Sequence, residues 1–281
     1  MKPSDTILVS ISDMHSGSSR ALFPNRTVQF IESGTNHTPT PPQQAIYKHW
    51  KTCLEQIKSK RKGKRLVIIH NGDATENLHH NVTQVTSSAI KDHADIHLEL
   101  MEEMLKVTGF SRKSGDTLYY VEGTESHTLT IENYIGKELG AEVAYSIGEG
   151  EEKKEYYAFA ELKIDVNGRH LWYTHHGGAA GDGANEGDAY RNWLKRIYWN
   201  CVKRDVRKPD LIFSAHVHKP TYTNYVQDYH TMHGIILPSW QLKTRYAYRA
   251  APFQRNEIGL TMTEITAGGD IRIMQPLTME L

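Results

Sequence analysis

Short apolar runs alternate with helical patterns along most of the chain. Each run is rich in β-branched or aromatic residues and ends in polar residues, which is typical of a buried strand. The runs with this pattern are TILVSIS (6–12), RLVIIH (65–70), TLYYVEG (117–123) and PDLIFSAH (209–216). Apolar residues at intervals of three and four predict helices over 43–60, 83–107, 131–140 and 188–204.

The later part of the chain has the pattern of hairpins. YYAFAELKIDV (156–166) and RHLWYTHH (169–176) flank Asn167-Gly168, and Asn-Gly is the strongest short signal of a hairpin turn. From residue 221 onward the pattern is mainly β. Strands that first alternate with helices and then form hairpins predict an α/β sandwich. In such a fold two mixed sheets pack together and helices lie outside them.

No internal repeat or change of composition divides the 281 residues, so we expect one domain over 1–281. Segments rich in Gly, Ser, Asn and similar residues predict loop insertions at 16–43 and 177–188. Long loops inside a compact domain are usually functional or mobile.

The composition sets limits on partners and on compartment. Lys plus Arg and Asp plus Glu both number 33, so no net charge draws the protein to nucleic acid or membranes. No apolar run approaches the roughly 20 residues of a membrane helix. Cys53 and Cys201 form no CxxC spacing, which indicates a reducing, cytoplasmic setting. The 16 histidines are an excess, and histidine is the commonest metal ligand.

Polar side chains follow each of five predicted strands. These endings are Asp13-Met14-His15, Asn71-Gly72-Asp73, the segment 123–127 (GTESH), His175-His176-Gly177 and the segment 215–218 (AHVH). In open α/β sheets this edge is where ligands bind. One histidine there is more often structural, but five such endings together favour a site.

Imidazole and carboxylate without thiolate suit Mn, Fe, Zn or Ni rather than a structural zinc site. The pairs Asp13/His15 and His216/His218 each allow one short loop to present two donors. Together with Asp73 and His175 they exceed one four-coordinate site. They fit two divalent ions about 3.5–4 Å apart with a carboxylate between them.

The series D-x-H, G-D, a glycine-led third motif, H-x-G and x-H-x-H resembles the calcineurin-like metallophosphoesterase superfamily over about residues 6–220. The resemblance implies a four-layer αββα sandwich. It assigns Asp13, His15 and His218 to a first metal, and His175 and His216 to a second. Asp73 would bridge both ions. Manganese is the first choice of metal, with Fe, Zn or Ni as alternatives.

Two motifs depart from the superfamily pattern. Ala215 stands where a glycine is usual before H-x-H, which is a small steric change. The third motif is G-T-E-S-H instead of G-N-H-[DE], so the asparagine ligand is missing. Glu125 is the predicted replacement as second-metal ligand, and His127 the predicted general acid. The alternative is a remodelled loop in which Asn77 or His79 completes the site.

Other histidines and cations have weaker assignments. His176 is predicted to line the substrate pocket, with Asn77 and Arg245 as further substrate-binding residues. For His79 and His80, exposed or supporting roles are favoured over ligation. His93 and His97 are four apart on a predicted helix, and a polar helix face is favoured over a zinc pair.

The predicted activity is two-metal-dependent hydrolysis of phosphoesters, in which a hydroxide between the metals attacks phosphorus. A phosphodiesterase or nuclease is preferred, with nucleic acid or a nucleotide as substrate. The alternatives are a phosphomonoesterase for proteins or small molecules, and a catalytically inactive binding module on the same fold. The oligomeric state is not determined by the sequence.

Overall fold

The computed structural model describes residues 4–78, 83–128, 130–250 and 257–280. The strands, in chain order, are β1 (Thr6–Ile11), β2 (Val28–Gln29), β3 (Asn36–His37), β4 (Arg65–Asn71), β5 (Thr117–Val121), β6 (Tyr145–Ile147), β7 (Lys154–Tyr156), β8 (Ala158–Phe159), β9 (Leu162–Val166), β10 (Arg169–Tyr173), β11 (Leu211–Ser214), β12 (Thr221–Gln227), β13 (His230–Ile236), β14 (Glu257–Ile265), β15 (Ile271–Ile273) and β16 (Leu277–Glu280). The α-helices are α1 (Pro41–Arg61), α2 (Ile90–Thr108), α3 (Glu125–Thr128), α4 (Ile131–Glu138), α5 (Asp188–Arg204) and α6 (Arg245–Ala250).

Two mixed sheets form the body of the fold. The first has the order β15-β14-β1-β4-β5-β8, and β16 also pairs with β14. Within it β1, β4, β5 and β8 run parallel, so their carboxyl ends meet at one edge. The second sheet has the order β12-β13-β11-β10-β9, with β10, β11 and β13 parallel.

The hydrophobic clusters establish the order of the layers. Leu8 and Ile69 of the first sheet share one cluster with Leu171 and Phe213 of the second, so the two sheets pack face to face. The opposite face of the first sheet packs on α1, α2 and α4. The outer face of the second sheet packs on α5. The structure therefore confirms the predicted α/β sandwich with helices on both outer faces.

Local sequence signals explain where helix α1 begins and which of its faces is buried. Thr40 caps it, accepting a hydrogen bond from Gln43 N, while the Gln43 side chain accepts one from the backbone of Thr40. Such a capping box satisfies amide groups that have no partner within the helix. Ile46, Trp50 and Leu54 lie on the face that packs against the first sheet.

The predicted helix over 83–107 begins later than expected, at Ile90. Tertiary hydrogen bonds hold the preceding residues in another conformation: Thr86 N donates to Gly17 O at 2.7 Å. Ser87 Oγ in turn donates to the carboxylate of Asp92 at 2.6 Å. The first contact docks the segment onto the loop after β1, and the second fixes it to the first turn of α2. Helical periodicity reveals neither contact.

His93 and His97 do not form a polar helix face. Both are fully buried on the side of α2 that faces the first sheet. His97 Nδ1 lies 3.1 Å from Ala74 O, and His93 Nε2 lies 2.9 Å from Ser87 O. The two imidazoles therefore hold loop carbonyls.

Among the described residues, none of the helices combines the length and the apolar character that a membrane span requires.

Residues 156–166 belong to several strands rather than to one. Ala158 and Phe159 pair with β5 in the first sheet, whereas Leu162 pairs with β10 in the second. The chain thus crosses between the sheets at residues 160–161. The Asn167-Gly168 turn forms as predicted, with φ of 48° and 81°.

Candidate metal centre

The loops that follow four strands meet at one edge of the sandwich. Asp13 follows β1, Asp73 follows β4, His175 follows β10, and His216 and His218 follow β11. Backbone hydrogen bonds fix the loops to one another: Asp13 N donates to Gly72 O and His15 N to Asp73 O, both at 3.0 Å. The parallel strands thus bring together side chains that are about 200 residues apart in sequence.

The first donor group consists of Asp13, His15 and His218. His218 Nε2 lies 3.1 Å from Asp13 Oδ1 and 3.2 Å from His15 Nε2. His15 Nε2 lies 3.9 Å from Asp13 Oδ1. Asp13 and His15 are buried, whereas His218 is partly exposed.

The second donor group consists of His175, His176 and His216 and lies on the other side of Asp73. Asp73 Oδ2 is 3.2 Å from His175 Nε2 and 3.8 Å from His15 Nε2, so one carboxylate oxygen faces both groups. His175 Nδ1 donates to Asn71 O at 2.8 Å, which leaves Nε2 directed at Asp73. The rings of His176 and His216 lie 4.5 Å apart, and both lie near His175.

These separations fit metal ions. Donors that bind one first-row cation at about 2.1 Å are about 3–3.4 Å from one another. The closest donor pairs in both groups are 3.1–3.2 Å apart. Two imidazole nitrogens facing each other, with carboxylates beside them, suit a cation better than they suit a direct hydrogen bond. The resident side chains therefore fit the two divalent ions implied by the sequence.

Several donors occupy a strained backbone conformation. Left-handed φ values are found at Asp13 (49°), His15 (43°), Asp73 (54°), His216 (72°) and His218 (51°). This region costs a residue other than glycine about 1–2 kcal/mol, and such strain is concentrated at functional sites. The neighbouring Ala215 is not among the residues with positive φ, so it does not need to be glycine.

Two glycines allow the loops to approach closely. A Cβ on Gly123 would lie 2.1 Å from Asp73 N, and one on Gly72 would lie 2.3 Å from His175 Nδ1. Neither position has room for a side chain. The glycines of the second and third motifs are therefore required by the packing around Asp73.

Glu76 and Gln241 support the first donor group from behind. Glu76 Oε2 lies 2.8 Å from His15 Nδ1 and accepts from Gln241 Nε2 at 2.7 Å. Because a carboxylate accepts, His15 carries its proton on Nδ1 and presents Nε2 to the centre. A hydrogen bond to the ring nitrogen that does not bind the metal fixes the orientation of a ligating imidazole. Glu76 lies three residues after Asp73 on the same loop, whereas the role of Gln241 has no local signal in the sequence.

Glu132 joins the loops of the second and third motifs. Its two carboxylate oxygens accept from Ala74 N at 3.1 Å and from Gly123 N at 2.7 Å. It is almost completely buried, and burial followed by the charge of Asp73 raises its pKa to about 8. Its position on α4, outside all five motifs, explains why sequence analysis missed it.

The buried carboxylates and imidazoles of the centre shift one another's pKa values. Burial lowers the pKa of His175, but the charge and hydrogen bond of Asp73 outweigh it and raise the pKa to about 10. Burial is likewise outweighed at His15, where Glu76 raises the pKa to about 9. Burial would raise the pKa of Asp73, yet His175 holds it well below its usual value. The carboxylates thus attract positive charge, which a metal ion supplies in place of protons.

We expect metal binding to release protons near neutral pH. His15 and His175 must be neutral to bind a metal, but with pKa values of about 9 and about 10 both are protonated in the metal-free protein at pH 7.5. Binding of both ions should therefore release about two protons, and the apparent affinity should rise with pH until both imidazoles are neutral, at about pH 10. Titration calorimetry of Mn²⁺ in buffers of different ionisation enthalpy measures this number. Release of no protons on metal binding at pH 7.5 would contradict the assignment of His15 and His175 as metal ligands.

The structure does not bring Glu125 to the centre. Glu125 is exposed on α3 and belongs to no cluster of potential metal ligands among the described residues. The residue that comes closest to the missing asparagine's place is Thr124, which sequence analysis did not consider. Its Oγ1 lies 3.3 Å from Asp73 Oδ2 and 3.4 Å from His175 Nε2.

His127 does reach the centre. Its ring lies 4.8 Å from that of His15, and it forms a group with His15 and Glu76. Its Nδ1 lies 3.1 Å from Glu76 O. Because a carbonyl only accepts, Nδ1 of His127 carries a proton in this contact.

The predicted substrate residues lie at different distances from the donors. His176 is exposed beside His216. Asn77 donates its side-chain amide to Ser126 O at 3.1 Å, linking the Asp73 loop to α3. Arg245 is exposed at the start of α6 and is in none of the donor groups. His79 and His80 lie outside the described residues.

No protein-family model and no curated protein matches the chain. Similar solved structures include wild-type Vps29 complexed with Zn²⁺ from Entamoeba histolytica, with 10% identity over 98% of each chain and a TM-score of 0.37. A predicted phosphoesterase from Streptococcus pneumoniae has 11% identity over 99% of each chain and a TM-score of 0.34. The NAD nucleotidase of Haemophilus influenzae has 10% identity, 99% coverage of this chain, 50% coverage of its own and a TM-score of 0.43.

TM-scores this low support no conclusion about the activity of this chain. The sandwich itself has the architecture that the resemblance to calcineurin-like metallophosphoesterases implies. The motifs that carry this resemblance also converge at one edge of the sandwich, where they form the two donor groups.

Proposed function

We propose that the protein is a two-metal-dependent phosphoester hydrolase that acts on phosphodiesters, with a nucleic acid or nucleotide as substrate. The observation that carries this proposal is the pair of donor groups on either side of Asp73, with His127 beside the first group. Bound divalent cations would polarise a phosphoryl oxygen and lower the pKa of a water. Manganese is the first candidate, with Fe, Zn or Ni as alternatives.

The chain's own residues supply the arrangement in which this chemistry occurs. Asp73 is the carboxylate that faces both groups, and Glu76 fixes the ring of His15. His127, in its imidazolium form, is the proton donor for the leaving oxygen through Nε2. His176 lines the same pocket, and Asn77 and Arg245 remain proposed contacts for the substrate. A cytoplasmic setting and a single domain over 1–281 belong to the same proposal.

Hydrolysis of bis-p-nitrophenyl phosphate tests the proposal. Protein stripped of metal and refilled with Mn²⁺, Ni²⁺, Zn²⁺ or Fe²⁺ is expected to hydrolyse this diester faster than p-nitrophenyl phosphate. The metal-free protein should have no activity above background, because in this proposal the activation of the attacking water depends on the bound cations. Folded, metal-loaded protein that hydrolyses neither ester would contradict the proposal.

The binding-module alternative has one observation in its favour. The third motif lacks the superfamily's asparagine, and Glu125 is not brought in to replace it. A non-enzymatic scaffold has no need of stoichiometric transition metal. Metal analysis by mass spectrometry therefore separates the two functions, since the enzyme is expected to bind two ions per chain.

A further inference from the structure

Thr124 lies at the centre of the second donor group. Its Oγ1 is 3.3 Å from Asp73 Oδ2, 3.4 Å from His175 Nε2 and 3.3 Å from His216 Nδ1. These three atoms come from loops after β4, β10 and β11, and Thr124 itself follows β5. One hydroxyl oxygen is thus nearly equidistant from three metal-ligating atoms.

The separations are those of ligands around one ion. Four donors at about 2.1 Å from a cation are about 3.4 Å apart when arranged as a tetrahedron, and about 3 Å when they are neighbours in an octahedron. The three distances from Thr124 Oγ1 fall in this range, as does the 3.2 Å between Asp73 Oδ2 and His175 Nε2. When His175 and His216 are neutral and present these nitrogens as acceptors, as metal binding requires, the single hydroxyl proton of Thr124 can be donated to only one of the three neighbours.

The backbone holds Thr124 in this position. Thr124 N donates to Asp73 Oδ1 at 2.6 Å, and Thr124 O accepts from His127 N at 2.9 Å at the start of α3. The side chain therefore needs no rearrangement to reach the group. Glu125, the next residue, is exposed and belongs to no cluster of potential metal ligands among the described residues.

We propose that the Thr124 hydroxyl is the oxygen donor of the second metal subsite, beside Asp73, His175 and His216, in the place where the superfamily has asparagine. The inference rests on the proposed two-metal function. It gives the subsite a neutral oxygen donor, as asparagine would, so the cation keeps the positive charge that a glutamate would have reduced. The altered G-T-E-S-H motif would then still bind a metal ion, and its change of sequence would not mean that metal binding has been lost.

Three variants test this role by metal binding rather than by turnover. Thr124→Val removes the hydroxyl with almost no change of shape, Thr124→Ser keeps it, and Glu125→Gln removes the neighbouring carboxylate. Removal of a group that only supports a metal ligand weakens metal affinity about 10–100-fold, so loss of a direct donor should weaken it by at least about tenfold. Titration calorimetry and metal stoichiometry are measured on each purified, stripped protein.

We expect Thr124→Val to bind one ion with wild-type affinity and the second at least about tenfold more weakly. Thr124→Ser and Glu125→Gln should bind both ions as the wild type does. The Co²⁺-substituted wild type should change its visible absorption on filling the second subsite, and Thr124→Val should alter only this second step. Thermal unfolding of the metal-free proteins checks that the valine variant is folded.

Other outcomes separate the inference from the function on which it rests. If Thr124→Val bound both ions more weakly by the same factor, Thr124 would only position Asp73. That result would overturn its role as a donor. Wild-type binding of both ions by Thr124→Val, or loss of one ion by Glu125→Gln, would overturn it as well. A wild-type protein that binds no metal would instead overturn the proposed function itself.

Discussion

Asp73→Asn is expected to bind at most one divalent ion and to hydrolyse bis-p-nitrophenyl phosphate at least about 10³-fold more slowly than the wild type. Loss of a single preorganised electrostatic contact typically lowers kcat by about 10²–10³, and Asp73 serves two cations at once. Its Oδ2 faces His175 Nε2 at 3.2 Å and His15 Nε2 at 3.8 Å. Asparagine keeps the shape but removes the charge, and its amide group would turn protons towards a cation.

The measurement combines metal analysis with steady-state kinetics on the same preparation. Asp165→Asn is the matched control, because Asp165 is an exposed carboxylate on β9, where it pairs with Arg207 at the surface. The control should retain two ions and full turnover. Near-normal turnover in Asp73→Asn, with two ions bound, would refute the bridging role.

His127→Gln should lower turnover in proportion to the difficulty of the leaving group. General acid catalysis typically contributes about 10²–10⁴-fold when the leaving oxygen needs a proton. Hydrolysis of a dinucleotide, which releases an alkoxide, should therefore fall by about that factor. Hydrolysis of thymidine 5′-p-nitrophenyl phosphate should change little, because p-nitrophenolate leaves without protonation.

Metal content decides between two roles of His127. The residue lies near His15 and Glu76, so it stands close enough to influence the first donor group as well. If His127→Gln keeps both ions and loses only the dinucleotide activity, the imidazole is the proton donor. An equal fall with both substrates, or loss of an ion, would show that it acts on the metal centre instead.

Much of the fold could be predicted because local pattern and tertiary environment agree. The buried strand β1 was predicted over 6–12 and extends from Thr6 to Ile11, and α5 has the predicted bounds 188–204. The disagreements occur where distant contacts override local pattern. Residues 83–89 bind the loop after β1, and 156–166 are divided because the chain changes sheets. Neither contact leaves a periodic signal.

The sequence predicts those residues of the candidate site that directly follow strands. Asp13, His15, Asp73, His175 and the 216/218 pair all arrive at one edge, as parallel strand order requires. Thr124 was missed because threonine is not a usual metal ligand and its neighbour Glu125 is. Only the direction of the chain into α3 shows which of the two faces the donors.

The left-handed backbone at five donor positions bears on why these side chains are present. At φ values between 43° and 72°, glycine would be the least strained residue, yet all five positions have a carboxylate or an imidazole. Stability alone therefore gives no reason for imidazole or carboxylate there. The strain at these five positions has a reason if the side chains hold cations, which supports the proposed metal centre.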